Sequence, residues 1–233
     1  MTIEVLADVS EIVARARSLL LSAIEQKGKD RFTLVVAGGS TPKPLYESLA
    51  KADLDTSRLH IFWGDERYVP PDDPQSNERM VREAWLDRVG FPAENIHPMP
   101  THFANPEEAA SEYQSQLESF FGLTPPALPV FDFVILGMGD DGHTASLFPH
   151  TEALQVQDRW VTVGKKDNQP RLTLTFPVIN SARQIVFLVS GANKNKAFQA
   201  VHAKVGDSNQ YPARLIKGNV VWLVDRAAFG NGL

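Results

Sequence analysis

A chain of 233 residues with 43% hydrophobic and 22% charged side chains can bury one substantial core, so its composition excludes a disordered chain and a membrane protein. The net charge of -5 comes without a block of one sign, which argues against nucleic acid as a partner because phosphate-backbone binding needs clustered Lys and Arg. The chain has no cysteine, which excludes disulfides and thiolate metal sites, and its start does not resemble a secretory signal. We expect one cytoplasmic domain over residues 1–233 that spans no membrane.

Short apolar runs alternate with helical patterns along the chain. A helical pattern follows Asp8 and Ser10, which can cap a helix that Gly28 then ends. Apolar runs of strand length lie at 32–37, 59–63, 131–136, 185–190 and 220–224, with helical stretches at 77–89 and 193–204. Strands that are apolar on both faces and alternate with helices are typical of a parallel sheet covered by helices. The sequence therefore predicts an open, doubly wound α/β fold whose ligands bind at the carboxyl ends of the strands.

The loop after the first apolar run reads Gly38-Gly39-Ser40-Thr41-Pro42. Glycine lets the backbone approach a ligand closely, and a helix that Pro42 begins offers unpaired N–H groups to a phosphate. A tight turn that needs positive φ explains the same residues equally well. The segment is neither a Walker loop nor a GxGxxG fingerprint, so it gives nucleotide binding little support.

The second loop covers residues 63–70 and carries Asp65 and Arg67 beside a strand end. These charges can form a solvated turn, but next to the first loop they become candidates for a carboxylate and a guanidinium in one cleft. Ser76 and Asn77 follow, and they either cap the next helix or reach a ligand. Capping is the more common role of such residues.

The third loop, residues 137–149, is the most informative because it holds His143 in a glycine-rich segment directly after a strand. A neighbouring carboxylate such as Asp141 can fix the imidazole tautomer, and this context favours a general base. Ser146 lies nearby, but the G-x-S-x-G arrangement of a nucleophile elbow is absent. We therefore interpret Ser146 as structural or as a minor polar contact.

Two later cations, Arg171 and Lys194, lie where the loops of the predicted sheet should be. Arginine can bind phosphate through two parallel hydrogen bonds, whereas lysine acts as a point charge. Surface positions are the alternative for both residues. If the fold is correct, they complete a phosphate site that the 39–41 backbone begins.

The remaining histidines give no convincing metal site. His97 and His102 flank a short proline-containing loop, but no third ligand is evident for a zinc ion. We interpret His60, His150 and His202 as structural or surface residues. The sequence therefore predicts an active site without a metal.

Taken together, these loops resemble those of the 6-phosphogluconolactonases. The matching segments are AGGSTP at 37–42, WGDERYVP at 63–70, SNERM at 76–80, LGMGDDGHTASLFP at 136–149, PRLTLTFPVIN at 170–180 and SGANKNKAF at 190–198. The resemblance implies a modified Rossmann-type sheet like that of glucosamine-6-phosphate deaminase and ribose-5-phosphate isomerase. It also implies a carboxylic ester hydrolase that converts 6-phospho-D-glucono-1,5-lactone to 6-phosphogluconate in the oxidative pentose phosphate pathway, without a cofactor.

The resemblance assigns a role to each candidate residue. It makes His143 the general base, the group Gly39, Ser40, Thr41, Arg171 and Lys194 the phosphate site, and the pair Asp65 and Arg67 neighbours of the lactone. From the chemistry of lactone hydrolysis we further expect Asp141 or Asp65 to orient the imidazole and Arg67 or loop N–H groups to face the oxyanion. The expected partner is a small sugar-phosphate lactone, and the working expectation is a monomer.

Two alternatives stay open at this point. Glucosamine-6-phosphate deaminases and related aldose-ketose isomerases have a comparable loop that resembles DGHIAFNEP, and Phe148 stands here where the deaminase places a carboxylate. A non-catalytic sugar-phosphate sensor would be marked by loss of the base. His143 is present, and no DNA-binding module is visible.

Overall fold

A computed structural model describes residues 1–230 and contains two β-sheets. The larger sheet is formed by β1 (Thr2–Leu6), β2 (Phe32–Val36), β3 (Leu59–Trp63), β5 (Ile96–His97), β6 (Phe133–Gly137), β9 (Ile185–Val189) and β10 (Val220–Asp225). The smaller sheet is formed by β4 (Asp65–Arg67), β7 (Val161–Lys166) and β8 (Gln169–Leu174). The helices are α1 (Val9–Gln26), α2 (Lys43–Leu49), α3 (Asn77–Ala84), α4 (Pro106–Phe121), α5 (Phe176–Asn180), α6 (Asn195–His202) and α7 (Arg226–Phe229).

The larger sheet has the strand order β1-β10-β9-β6-β2-β3-β5, and all neighbouring strands are parallel. After β2 the chain builds outward through β3 and β5, and after β6 it builds in the opposite direction through β9 and β10. The adjacent strands β2 and β6 therefore form the topological switch point, where doubly wound sheets bind their ligands. This topology confirms the predicted open α/β fold.

Local signals explain where the elements begin and end. The Asp8 carboxylate accepts hydrogen bonds from the N–H groups of Ser10 and Glu11 and so caps α1. Strand β2 is buried along its whole length, as expected for a strand covered on both faces. The buried apolar side chains of sheets and helices form one continuous core. A single domain over residues 1–233 stays a prediction.

The smaller sheet was not expected, and it changes the position of Arg171. Arg171 lies within β8 and not in a loop of the larger sheet. Strand β4 pairs antiparallel with β8, and β8 pairs antiparallel with β7. Leu172 and Leu174 are buried and alternate with Arg171, so β8 shows the alternation of a sheet that is apolar on one face only.

The helix predicted at 77–89 is shorter than expected. It ends at Ala84 because Trp85 leaves the helical conformation, with φ -142°. The Trp85 ring is buried and stacks on Tyr46 at 6.4 Å between ring centroids. Within residues 1–230, no helix is both long enough and apolar enough to cross a membrane.

Candidate active site

A cavity of about 400 Å³ opens at the carboxyl ends of β2 and β6, at the switch point of the larger sheet. Loops from both halves of the chain and the face of the smaller sheet surround it. Eight of the nine predicted site residues line the cavity: Gly39, Ser40, Thr41, Asp65, Arg67, His143, Arg171 and Lys194. The ninth, Asp141, contacts His143 directly.

The imidazole of His143 is held by Asp141. Asp141 Oδ1 lies 2.5 Å from His143 Nδ1 and also accepts a hydrogen bond from the His143 backbone N–H at 3.0 Å. Partial burial by itself would raise the pKa of Asp141, but its hydrogen bonds and charge interaction with His143, assisted by Lys166, bring it to about 2. An ionised carboxylate can only accept, so Nδ1 must donate the proton and Nε2 keeps its lone pair. The arrangement prepares Nε2 to act as a base.

Asp65 does not orient the imidazole. Its side chain is 8% exposed, and Oδ2 accepts a hydrogen bond of 2.6 Å from the hydroxyl of the fully buried Ser146. Ser146 therefore fixes the Asp65 carboxylate, and its buried side chain does not line the cavity. Of the two carboxylates proposed to orient His143, the geometry favours Asp141.

Glycines shape the loop that carries the base. Gly139 donates its N–H to the His143 carbonyl at 2.9 Å, and Gly142 donates to the Gly139 carbonyl at 3.1 Å. Gly142 adopts φ +79°, a left-handed conformation that glycine accepts without strain. Gly139 leaves room for the hydrogen bond between Asp141 and His143, because a Cβ there would lie 2.5 Å from Asp141 Oδ1 and closer still to His143 Nδ1.

Two arginines lie directly opposite each other on β4 and β8. Arg67 is the cross-strand partner of Arg171, so both side chains are on the same face and line the cavity. Burial, followed by the positive charge of Arg67, lowers the pKa of Arg171. Each Nε is buried without a hydrogen-bond partner in the part of the chain that the structure describes. Like charges opposite each other destabilise a sheet unless an anion lies between them.

Lys194 and the first loop complete the polar lining. Lys194 precedes α6 and lies on the cavity wall, with no carboxylate within salt-bridge distance among the described residues. Gly39 adopts φ +107°, so the alternative interpretation as a tight glycine turn is also correct. Pro42 is the N-cap of α2 and not its first residue, and Pro44 has no N–H. At the cavity wall this segment can offer an anion the 39–41 backbone N–H groups and the hydroxyls of Ser40 and Thr41.

Sequence reasoning assigned no role in the site to three residues near the cavity, namely Phe148, Asn77 and Glu66. The Phe148 ring packs 4.5 Å from the His143 ring, and the Arg171 guanidinium lies 5.4 Å from the Phe148 ring centre. Ser76 caps α3 as predicted, but the Asn77 side chain lines the cavity.

Burial raises the pKa of Glu66 to about 7. The Glu66 carboxylate accepts hydrogen bonds from the backbone N–H groups of Arg67, Asn77 and Glu78, and these bonds oppose that shift.

No group of three or more His, Asp and Glu side chains that could bind a metal ion is present within residues 1–230. His97 does not approach His102. Its Nε2 lies 3.1 Å from Nδ1 of His60, and the two rings stack beside Phe120. We interpret this histidine pair as part of the packing between β3, β5 and α4. The metal-free active site stays a prediction.

Similar proteins identify the family. A family model described as glucosamine-6-phosphate isomerases/6-phosphogluconolactonase matches residues 7–222. The 6-phosphogluconolactonase of Nostoc sp. is 54% identical over 97% of this chain and 96% of its own length. The 6-phosphogluconolactonase of Synechocystis sp. is 50% identical over 98% and 97%.

Solved structures agree with this assignment. The 6-phosphogluconolactonase of Leishmania guyanensis superposes with a TM-score of 0.88 at 28% identity, over 99% of this chain and 98% of that one. A monomeric glucosamine-6-phosphate deaminase superposes with a TM-score of 0.84 over 98% of both chains, but at 20% identity it shows only the shared fold. The chain belongs to the family of glucosamine-6-phosphate isomerases and 6-phosphogluconolactonases.

Proposed function

We propose that this protein is a 6-phosphogluconolactonase, which hydrolyses 6-phospho-D-glucono-1,5-lactone to 6-phosphogluconate in the pentose phosphate pathway. Two relatives with that activity in their names are at least 50% identical over nearly the whole chain. The observation that carries the proposal is the contact of 2.5 Å between Asp141 and His143 at the wall of a cavity that also contains Arg67, Arg171 and Lys194. A lactone is an activated ester, so a base, a water molecule and stabilisation of the oxyanion are sufficient for its hydrolysis.

In the proposed first step, His143 Nε2 takes a proton from water while the water oxygen attacks the lactone carbonyl carbon. Asp141 stabilises the imidazolium that forms, because its carboxylate already accepts the Nδ1 proton. Negative charge develops on the carbonyl oxygen and is stabilised by Arg67 or by loop N–H groups. Collapse of this intermediate breaks the bond between the carbonyl carbon and the ring oxygen. The imidazolium returns its proton to that oxygen, and the new carboxylic acid ionises.

The phosphate is proposed to bind at a site separate from the scissile bond. Its site consists of the 39–41 backbone and hydroxyls, Arg171 and Lys194, which line the same cavity as His143. The unpartnered Nε of the half-buried Arg171 supports this assignment. Energy from a remote anchor can orient the reacting ester, so phosphate binding should increase turnover and not only affinity.

Hydrolysis fits the surroundings of the base better than proton transfer between carbons. An apolar ring, Phe148, packs on His143 at the position where the deaminase loop has a carboxylate. One chain supplies every residue of the proposed mechanism, so we propose that the enzyme acts as a monomer. We also propose a cytoplasmic location, because phosphorylated sugars are charged and do not cross membranes freely.

The test is a lactonase assay on freshly made substrate. A dehydrogenase generates the phosphorylated lactone, and acid release is compared with spontaneous hydrolysis. His143→Asn should lower kcat by roughly two to four orders of magnitude. His150→Asn is the matched control: His150 is exposed and has φ +59°, which asparagine tolerates, so this variant should retain full activity. Near-native turnover by His143→Asn would remove His143 from the mechanism.

A further inference from the structure

Asn77 presents a buried polar atom at the cavity wall that the proposed mechanism does not use. Its side chain is 1% exposed and lines the cavity. Nδ2 donates a hydrogen bond of 2.9 Å to the Asp65 carbonyl. Oδ1 is buried and has no hydrogen-bond partner within residues 1–230. A buried acceptor without a donor is unfavourable, so this oxygen calls for an explanation.

The orientation of the amide is determined by its neighbours. The Asp65 carbonyl oxygen is a hydrogen-bond acceptor, so the NH₂ group of the Asn77 amide must face it and Oδ1 must face away. Capping does not explain the side chain, because Ser76 Oγ performs that role by accepting from the Arg79 N–H at 3.1 Å. The Asn77 backbone N–H is held separately by Glu66 Oε1 at 2.7 Å. The amide is thus fixed at the start of α3 with its acceptor unused.

The glycine at position 38 accommodates this amide. A Cβ at Gly38 would lie 2.8 Å from Asn77 Nδ2 and closer still to Oδ1, so any other residue there would displace the side chain. Gly38 has no left-handed φ that would require glycine for conformational reasons. The absence of a side chain at Gly38 is therefore explained by the position of the Asn77 amide.

We propose that Asn77 Oδ1 accepts a hydrogen bond from a hydroxyl group of the sugar lactone and thereby selects a fully hydroxylated substrate. This inference rests on the proposed lactonase function. In 6-phosphogluconolactone the ester carbonyl and the ionised phosphate are acceptors, and only the hydroxyl groups donate. A site that hydrogen-bonds a substrate hydroxyl discriminates against an analogue that lacks it, because its own polar group is left unpaired. Asn77 is in this view a specificity-determining residue.

The experiment compares the phosphorylated lactone with its 2-deoxy, 3-deoxy and 4-deoxy analogues. Wild type should show about tenfold lower kcat/KM for one of the analogues, the effect of one lost hydrogen bond at a buried acceptor. Asn77→Leu, which has similar size and no polar atom, should process the parent lactone and that analogue at nearly equal rates.

Ser76→Ala is the matched control, because it removes the cap of the same helix and leaves the Asn77 acceptor in place. It should lower the melting temperature while keeping the wild-type ratio of rates. If Asn77→Leu does not fold, Gly38→Ala displaces the amide and gives the same readout. The assignment would be overturned if Asn77→Leu or Gly38→Ala discriminated between the parent lactone and the deoxy analogues as strongly as wild type does. It would also be overturned if wild type processed the parent lactone and all three analogues equally well. Failure of the proposed function would instead appear as no wild-type turnover of the parent lactone.

Discussion

A single methyl group at residue 139 should separate His143 from Asp141. The Cβ of Gly139→Ala would lie 2.5 Å from Asp141 Oδ1 and closer still to His143 Nδ1, whereas ordinary contact begins at 3.4 Å. The carboxylate must therefore move by about 0.9 Å, and the imidazole by more. The present Nδ1–Oδ1 distance is 2.5 Å, so displacements of this size break the hydrogen bond that sets the tautomer.

The expected cost is large in kcat and small in stability. A misplacement of about 1 Å in a catalytic group can reduce the rate on the order of 100-fold. Gly139 does not adopt a left-handed φ, so alanine introduces no backbone strain of its own. Stopped-flow or pH-stat measurement of lactone hydrolysis gives kcat and KM, and thermal unfolding reports stability. We expect kcat of Gly139→Ala to fall about 100-fold while the melting temperature changes by only a few degrees.

Gly137→Ala is the control within the same loop. A Cβ at Gly137 meets no atom within 4 Å, so this variant adds a methyl group beside the cavity without touching His143 or Asp141. Its kcat should stay near that of wild type, with any change confined to KM. If Gly139→Ala also retains kcat, then orientation of His143 by Asp141 contributes little to catalysis and our reasoning about the base is wrong.

Three further predictions concern the anion site, pH dependence and metals. Arg171→Ala and Lys194→Ala should each lose most of the preference for the phosphorylated lactone over gluconolactone. For the half-buried Arg171, the loss should be about 2 kcal/mol of substrate binding free energy. An undiminished preference would place the phosphate elsewhere. The pKa of His97 is lowered to about 4, mainly by burial and then by the charges of His60 and Arg31, whereas an unfolded histidine titrates near 6.5. Only the unfolded chain takes up this proton between those values, so the melting temperature should fall as the pH drops from 6.5 to 4. His97→Phe should flatten that dependence, and an unchanged slope would assign it to other groups. Exhaustive EDTA treatment should leave kcat intact, and activity restored by zinc or magnesium would contradict the metal-free mechanism.

Much of the fold was predictable because its signals are local. Strand β3 occupies the predicted residues 59–63, and the other apolar runs differ from the observed strands by one or two residues at their ends. The complete burial of β2 and β9 reflects coverage on both faces, which a continuous apolar run encodes directly. The smaller sheet was missed because β4 has only three residues, all charged, and its partner β8 is far away in the chain. No apolar run marks such a strand.

The contact between His143 and Asp141, the proposed catalytic pair, was also predictable from the sequence, because the two residues are two positions apart in a glycine turn. Local turn geometry alone brings their side chains together. The sequence could not choose between Asp141 and Asp65 as the orienting group, because Asp65 reaches this loop only through the packing of β4. There it meets Ser146, a residue 81 positions away.

The sequence by itself determined the fold class, and it was enough to propose the three loops around the cavity and His143 with its neighbouring carboxylate as the base. Tertiary structure alone decided that Arg67 faces Arg171 across a strand pair and that the Asn77 amide packs against Gly38 at the cavity wall. The physical reason is the range of the interactions. Turns, caps and apolar runs depend on neighbouring residues, whereas these contacts depend on strand pairing and register between segments that are distant in the chain.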